Sequence, residues 1–389
     1  MQGGDVALPR EPPPRREIGE LPNDRFKYDG GVLGKDGLVY CVPNSATDVL
    51  CVDPKRGSVT AFGQLPVGPN KWSGGVLADD GLIYCVPNSS TSVLVIDPLV
   101  RATHMFGVLA SERFKWGDGV LHDDGLIYCV PIDATSVLVI NPMGRSVQTF
   151  GTLPEEEDKY YGGVLGPDGV LYCVPCNASS VLAIDLQTRR LTTFGMLEER
   201  GQKWAGGVLG ADGMIYCIPR NASSVLVIDP RARALRTFDL GPCAEGPKKW
   251  SGGVLGRDGL IYGMPHNHDS VLLLHPGLRC CSTISSTCGR NKWCGGIRAS
   301  NGFIYAVPHD ATCVLEIASY MRTAWSFLVH AKFPTSSRRL VWWLLLCQEK
   351  DRREPRCRTG LRSLGKLLVT HVLPFCLDQI LLLPDPGPS

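Results

Sequence analysis

Lysine followed directly by an aromatic residue recurs along the chain at intervals of about 44 residues, and these pairs are the first candidates for binding chemistry. The pairs are Lys27 and Tyr28, Lys71 and Trp72, Lys115 and Trp116, Lys159 and Tyr160, Lys203 and Trp204, Lys249 and Trp250, and Lys292 and Trp293. Cations interleaved with aromatic rings bind phosphates, acidic peptides or single-stranded nucleic acid through charge and stacking. In the alternative interpretation, each ring packs between repeats, and the lysine stem covers it with the ammonium in water.

A second candidate is a group of histidines and aspartates in the last two repeats, where the common loop wording changes. The group is His266, His268, Asp269, His309 and Asp310. Imidazole and carboxylate groups can bind a divalent metal such as zinc or calcium and activate water, or act as an acid–base pair near neutral pH. The spacing His-x-His beside an asparagine is not specific to metal sites, and exposed loop residues vary freely.

Two further carboxylates, Asp29 and Asp118, interrupt the glycine-rich start of a repeat. A carboxylate there could be a ligand at the mouth of a channel. The sequence has no phosphate-binding glycine loop, serine-elbow motif or kinase signature. No convergent catalytic set is therefore predicted.

The elements that position these residues follow from the repeat. In its second copy, residues 74–77 predict a first strand, and Asp80-Gly81 a tight hairpin turn. Residues 82–86 predict the second strand, which Pro87 ends because proline has no N–H to donate. Residues 92–96 and 103–106 predict the third and fourth strands. Four antiparallel strands in about 44 residues are typical of a propeller blade.

The sequence therefore predicts an all-β fold: a seven-bladed β-propeller of four-stranded antiparallel blades, with repeats starting at residues 27, 71, 115, 159, 203, 249 and 292. Residues 1–16 are expected to be a disordered N-terminal segment, 17–327 the propeller, and 328–389 a non-propeller C-terminal tail that is disordered or partly helical. Residues 17–22 match the fourth-strand wording and are the favoured ring-closing strand. Residues 325–327 are the competing choice.

The repeat wording resembles a known group. Residues 212–216 and 225–230 are similar to repeats of the NHL, YVTN and SMP-30-like propellers. The Gly-Gly-Val-Leu and Ile-Tyr-Cys-Val-Pro phrases resemble propeller proteins of protists and bacteria that are largely uncharacterised. The resemblance implies the propeller fold, on which enzymes, ligand binders and docking platforms all occur. SMP-30-like lactonases hold a metal with acidic and amide side chains in the channel. Here the first strands carry Gly-Gly-Val-Leu almost throughout, which argues against that chemistry.

Composition narrows the class of protein. The chain is 44% hydrophobic and 20% charged, with a net charge of +2, which is ordinary for a soluble globular protein and argues against an obligate nucleic-acid binder. The first 20 residues contain no apolar run, so we expect a cytoplasmic location without integral membrane association. Five of the sixteen cysteines occupy one repeat position that elsewhere holds glycine or alanine, which indicates a small buried residue and not a disulfide partner.

The leading hypothesis is a monomeric, non-enzymatic propeller that binds a protein or an anionic ligand through its top-face loops and needs no cofactor. The alternative is a metal-dependent hydrolase or lyase of the SMP-30-like kind that uses the histidines and aspartates of repeats six and seven.

Overall fold

The structure, a computed structural model, describes residues 15–199, 201–286 and 289–319, which form seven four-stranded antiparallel sheets. The innermost strands of neighbouring sheets contact each other, and the seventh contacts the first, so the sheets are the blades of a closed ring. The prediction of a seven-bladed β-propeller is confirmed. The predicted tail at 328–389 and the competing closing strand at 325–327 lie outside the described residues.

Within each blade the strands follow the chain order from the innermost to the outermost, except that β1 is the outermost strand of blade 7. β1 is Arg15–Ile18. Blade 1 contains β2 (Tyr28–Leu33), β3 (Val39–Pro43), β4 (Val49–Asp53) and β5 (Ser58–Phe62). Blade 2 contains β6 (Trp72–Leu77), β7 (Ile83–Pro87), β8 (Val93–Asp97) and β9 (Ala102–Phe106). Blade 3 contains β10 (Trp116–Leu121), β11 (Ile127–Pro131), β12 (Val137–Asn141) and β13 (Ser146–Phe150).

The remaining blades repeat this order. Blade 4 contains β14 (Tyr160–Leu165), β15 (Val170–Pro175), β16 (Val181–Asp185) and β17 (Arg190–Phe194). Blade 5 contains β18 (Trp204–Leu209), β19 (Ile215–Pro219), β20 (Ser224–Asp229) and β21 (Ala234–Asp239). Blade 6 contains β22 (Trp250–Leu255), β23 (Ile261–Pro265), β24 (Ser270–His275) and β25 (Cys280–Ser285). Blade 7 contains β26 (Trp293–Arg298), β27 (Phe303–Pro308) and β28 (Val314–Ala318), and short 3₁₀ helices span Gly241–Ala244 and Pro276–Leu278.

The aspartate of each Asp-Gly hairpin turn between the first two strands also binds a tyrosine hydroxyl. In blade 2, Asp80 Oδ1 accepts from the backbone N–H of Leu82 at 3.0 Å, and its Oδ2 accepts from the Tyr84 hydroxyl at 2.8 Å. Gly81 has φ of 84°, the left-handed conformation that glycine adopts without steric cost. The repeated Asp-Gly-x-x-Tyr wording therefore fixes both the turn and the buried tyrosine above it.

The hydrophobic core lies between blades. The second and third strands are buried almost throughout, whereas the fourth strands are largely exposed. Val86 and Val95 of blade 2 pack with Trp116 and Ile127 of blade 3 in one cluster. Because every blade covers its neighbour in this way, no blade buries its apolar faces alone.

The N-terminal strand closes the ring. β1 pairs antiparallel with β28, with Arg16 opposite Glu316, so the strand starts two residues before the expected boundary at residue 17. The Arg16 guanidinium donates two hydrogen bonds to the Glu316 carboxylate, at 2.6 and 3.1 Å. Tyr305 donates to the same carboxylate at 2.7 Å and accepts from the Asn301 amide at 2.9 Å. Asparagine replaces the usual turn aspartate here, which leaves the Tyr305 proton for Glu316.

Two sequence expectations concern the described residues as a whole. The cysteines among them carry free thiols, including those of the shared small-residue position. In the described part of the chain no helix has the length and apolar character to cross a membrane.

Candidate functional site

The seven lysines of the repeated pairs are buried, and their ammonium groups bind backbone carbonyls. Lys71 Nζ donates to Ala46 O in the loop of the preceding blade at 2.9 Å and to Gly68 O at 3.2 Å. Lys115 repeats this pattern with Ser90 O and Glu112 O. Burial lowers the pKa of Lys71 to about 8. Five of the seven lysines thus bind a loop of the preceding blade, and Lys27 and Lys159 bind the segment that leads into their own blade. An anion would have to compete with these carbonyls for the ammonium groups.

The aromatic residues of the same pairs pack between blades. None is more than 5% exposed, and the Trp72 indole N–H donates to Ser92 O of its own blade at 2.9 Å. The Lys71 ammonium lies 5.7 Å from the Trp72 ring centroid. The arrangement matches the packing interpretation, except that the ammonium is bound to the protein and withdrawn from water. A ligand could stack on these rings only by separating two blades.

Of the five residues of the metal hypothesis, the structure places His309 beside both His266 and Asp310. The rings of His266 and His309 lie 5.7 Å apart. His268 instead stacks on Trp250 at 4.5 Å, and Asp269 Oδ1 lies 3.9 Å from the Lys292 ammonium. Among the described residues, no three histidine, cysteine, aspartate or glutamate side chains converge as a metal-binding group.

Asp310, the fifth residue of that hypothesis, is hydrogen-bonded to the loops around it. Its carboxylate accepts from the backbone N–H of Phe26 at 2.7 Å and from the Asn291 amide at 3.3 Å. Burial would raise the pKa of Asp310, but His309 beside it and these hydrogen bonds lower that pKa to about 2. The carboxylate therefore stays charged and joins blade 7 to the start of blade 1.

His266 and His309 instead belong to a different set, the residue that directly follows the proline of each second strand. This post-proline position holds Asn44, Asn88, Ile132, Cys176, Arg220, His266 and His309. In blades 1 and 2, the asparagine amide donates to the first carbonyl of the next blade, at 3.3 Å from Asn44 to Trp72 O and 3.1 Å from Asn88 to Trp116 O. Blades 5 to 7 replace this structural amide with larger nitrogen-bearing side chains.

The replacements leave buried nitrogen atoms without hydrogen-bond partners. Arg220 Nε and His266 Nδ1 are in this state, whereas His309 Nδ1 lies 3.3 Å from Asp310 Oδ1. His266 is only 4% exposed. An unpaired buried polar group costs about 1–3 kcal/mol. Two such atoms, at equivalent positions of adjacent blades, mark the residues around which a candidate ligand site is built.

These residues line the mouth of a funnel on the propeller axis. The upper cavity has a volume of about 230 Å³, and Arg220, His266 and His309 lie on its wall with Lys248 and Asp158. A lower cavity of about 40 Å³ shares the lining residues Asp29, Ile132, Tyr161 and Cys294 with it. The funnel thus narrows from a basic rim to a small chamber.

Carboxylates and hydroxyls line the chamber. Asp29 is 8% exposed and accepts hydrogen bonds from Ser73 Oγ at 2.7 Å and from Tyr161 Oη at 3.1 Å. Cys294 Sγ lies 3.1 Å from Ser251 Oγ. Burial raises the pKa of the Cys294 thiol well above its usual range, so this sulfur is neutral at physiological pH and a poor nucleophile.

A ring of glycines narrows the chamber further. A Cβ on Gly206 would meet Gly252 Cα at 2.7 Å, and one on Gly252 would meet Gly295 Cα at 2.7 Å, so the innermost strands leave no room for side chains between them. Asp118 alone replaces this glycine, with φ of 53°. Burial, and then the charge of Asp29, raise the pKa of Asp118 to about 6. A costly residue thus places a second carboxylate in the chamber.

At the rim, the electrostatics favour an anion. Burial, and then Arg220, His309 and Lys248, lower the pKa of His266 to about 3, so its imidazole is neutral near pH 7. The Arg220 guanidinium lies 6.0 Å from the Tyr161 ring centroid. A negative group in the upper cavity would pair with Arg220 and satisfy the nitrogen of His266.

Sequence reasoning singled out four funnel residues, Asp29, Asp118, His266 and His309, because each breaks the repeat. It missed Arg220 and Tyr161. The signal was present, since two positions vary while their neighbours do not: the post-proline residue, and the residue after each aromatic. The second position holds Asp29, Ser73, Gly117, Tyr161, Ala205, Ser251 and Cys294. Both variable positions contribute residues to the funnel wall.

Comparison with known proteins identifies the fold. No family model matches the chain, and no curated protein matches it in sequence. Among solved structures, a streptogramin B lyase has a TM-score of 0.66 at 12% identity, over 79% of this chain and 97% of that one. A catalytically inactive variant of virginiamycin B lyase from Staphylococcus aureus, solved with quinupristin, has 0.66 at 13%, over 78% and 99%. The RRP9 WD40 repeats have 0.61 at 13%, over 80% and 99%. At such identities the likeness shows the propeller fold alone, and that fold is shared by a lyase and a WD40 repeat protein.

Proposed function

We propose that this chain is a non-enzymatic binding propeller that holds an anionic group, on a small ligand or on a protein partner, in the axial funnel of its top face. The observation that supports this most strongly is the buried, unpartnered nitrogen of His266 beside Arg220, at positions where blades 1 and 2 use asparagine for structure.

Each step follows from charge and burial. Arg220 supplies a permanent positive charge and a planar set of donors that suits carboxylate or phosphate oxygens. His266 supplies a hydrogen bond through its unpartnered Nδ1 when the neutral imidazole carries its proton there. Lys248 adds charge at the rim. The seven buried lysines act as structural supports in this proposal, since their ammonium groups already bind carbonyls.

We propose a monomeric cytoplasmic protein, distantly related to the NHL, YVTN and SMP-30-like propellers whose repeat wording it resembles. A folded protein partner would present an acidic side chain to the funnel and rest on the surrounding loops.

The test compares wild type with variants that restore the residue of blades 1 and 2. Arg220→Asn and His266→Asn remove the anion donors and can form the interblade amide hydrogen bond, so both should fold. Arg236, an exposed residue on β21, gives the matched control Arg236→Asn. Acetate and inorganic phosphate serve as probes, with thermal shift and calorimetry as readouts. We expect each funnel variant to weaken binding about tenfold, as for a lost charged hydrogen bond, and the control to bind as wild type. Equal anion affinity in wild type and Arg220→Asn would overturn the proposal.

The metal-dependent hydrolase or lyase is the alternative proposal, and it depends on the proximity of His266 and His309. Thermal unfolding with zinc, calcium, magnesium or manganese tests it directly, since a metal that binds the native state raises stability. A metal-dependent shift that His266→Asn abolishes would favour the enzyme; a shift retained in that variant would exclude this site.

A further inference from the structure

The chamber below the rim carries negative charge without a positive partner beside it. Asp29 and Asp118 both line it, and no lysine or arginine stands among its described lining residues. Asp29 has hydroxyl donors, but no hydrogen bond to the Asp118 carboxylate occurs within the described part of the chain. Hydroxyl groups stabilise a buried carboxylate without neutralising it, so the chamber retains the attraction for a cation.

The size of the chamber restricts that cation. A volume of about 40 Å³ holds one or two water-sized groups. A primary ammonium is of this size and offers three N–H donors, which the Asp29 and Asp118 carboxylates and the Tyr161 hydroxyl oxygen can accept. A guanidinium or quaternary ammonium is larger.

The basic rim and the acidic chamber are joined by one side chain. Arg220 lies over the Tyr161 ring at 6.0 Å from its centroid, and the hydroxyl at the far end of that ring donates to Asp29 at 3.1 Å. A ligand in the funnel therefore meets donors at the top and acceptors one tyrosine length below. His266, which is 4% exposed, lines the same funnel, and its Nδ1 has no hydrogen-bond partner in the described part of the chain.

We propose that the ligand is a zwitterion: a primary ammonium that enters the chamber between Asp29 and Asp118, joined by a short chain to a carboxylate or phosphate that binds Arg220 and His266. This inference rests on the proposed anion site and adds the cationic half of the ligand. It also gives Asp118 a role, since a left-handed aspartate in a glycine ring is costly for the fold.

The test uses linear amino acids of increasing length as probes: glycine, β-alanine, 4-aminobutyrate, 5-aminopentanoate and 6-aminohexanoate, each with its N-acetyl derivative. Acetylation removes the positive charge and retains the carboxylate. Affinities are measured on the full chain by calorimetry or ligand-detected NMR. We expect at least one length to bind about tenfold more tightly than its acetylated form, as for one charged contact.

Two variants separate the halves of the site. Asp118→Gly restores the residue of the other six copies and should fold; we expect it to reduce the preference for the free amine to less than about threefold and to retain carboxylate binding. Asp29→Asn, which keeps an acceptor for Ser73 and Tyr161, should act in the same direction. Arg220→Asn should weaken free and acetylated forms alike.

The outcomes distinguish the two proposals. If acetylation changes affinity by less than about threefold at every length while Arg220→Asn still weakens binding, the zwitterion is excluded and the anion site survives. A preference for the amine that persists in Asp118→Gly and in Asp29→Asn also overturns the inference. If Arg220→Asn affects no probe, the proposed function itself fails.

Discussion

Tyr161 Oη in blade 4 donates a hydrogen bond of 3.1 Å to Asp29 Oδ2 in blade 1, across the propeller axis. Ser73 Oγ of blade 2 donates to the same oxygen at 2.7 Å. Three blades that are not all neighbours thus meet at one buried carboxylate. This bond links the ring through its centre, in addition to the contacts between adjacent blades.

Replacing this phenol tests the link. Tyr161→Phe and Ser73→Ala should each lower the free energy of unfolding by about 1.5–3 kcal/mol, the usual loss for a hydrogen bond to a carboxylate. The double variant should cost more than the sum, because Asp29 then loses both hydroxyl donors and keeps only the Cys294 thiol. Melting temperatures of the four proteins check this, and strict additivity would show that the two donors act independently of Asp29.

Asp118→Gly should stabilise the propeller, and more so at neutral than at acidic pH. The folded-state pKa of about 6 exceeds the usual value for aspartate, so the folded protein holds a proton that the unfolded chain releases. Wild-type stability therefore falls as pH rises from about 4 to about 6 and stays lower above that, by roughly 2–3 kcal/mol. Relief of the left-handed aspartate adds about 1 kcal/mol at every pH.

Thermal unfolding of wild type and Asp118→Gly across this pH range measures the effect. Asp29, Tyr161 and Cys129 are the titratable groups that interact with Asp118, and the variant retains all three, so the difference between the two curves isolates one carboxyl group. A difference in melting temperature that does not vary with pH would contradict the raised pKa.

Lys115→Met should destabilise the protein and leave anion binding unchanged. Methionine keeps most of the apolar stem but leaves Ser90 O and Glu112 O without the ammonium that binds them, a loss of about 2 kcal/mol. Lys55→Met, at an exposed position, is the matched control and should be neutral. Loss of phosphate binding in Lys115→Met at unchanged stability would instead restore the lysine ring as the ligand site.

Arg16→Ala should weaken the ring closure. The Glu316 carboxylate is 5% exposed and would lose both hydrogen bonds from Arg16, keeping the one from the Tyr305 hydroxyl. We expect a loss of about 1–2 kcal/mol, measured by thermal unfolding, with Arg15→Ala on the same exposed strand as control. The equivalent of Glu316 in blades 2, 3 and 5 is valine, at 95, 139 and 227. The double variant Arg16→Ala with Glu316→Val should therefore recover most of the loss, and failure to recover would show that the pair does more than satisfy its own charge.

The fold was predictable because the sequence of one blade recurs in seven similar copies. The Asp-Gly turn, the Pro that ends the second strand and the alternation of short apolar runs specify the blade locally, and repetition specifies the ring. The paired strand β1 was less certain, since a fourth strand is exposed and tolerates almost any residue. β1 starts as early as Arg15 because Arg16 pairs with Glu316. The repeat pattern alone does not show which residue pairs with Glu316.

The site was only partly predictable. His266 and Asp118 stood out as breaks in the pattern, but a sequence does not show which way a side chain points. Lysine is usually exposed, so the sequence suggests available ammonium groups, whereas here each of the seven binds at least one backbone carbonyl of an adjacent loop. Arginine in a loop is ordinary, and Arg220 is distinguished only by its half-buried position and its buried, unpaired Nε.

The pairing of β1 with β28 sets an order of events during synthesis. Glu316 leaves the ribosome 300 residues after Arg16. At roughly 5–20 residues per second, the first strand waits on the order of 15–60 s for its partner. Throughout that time the earlier blades can stack while the N-terminal strand stays unpaired, so the protein reaches its final shape only after translation has passed blade 7.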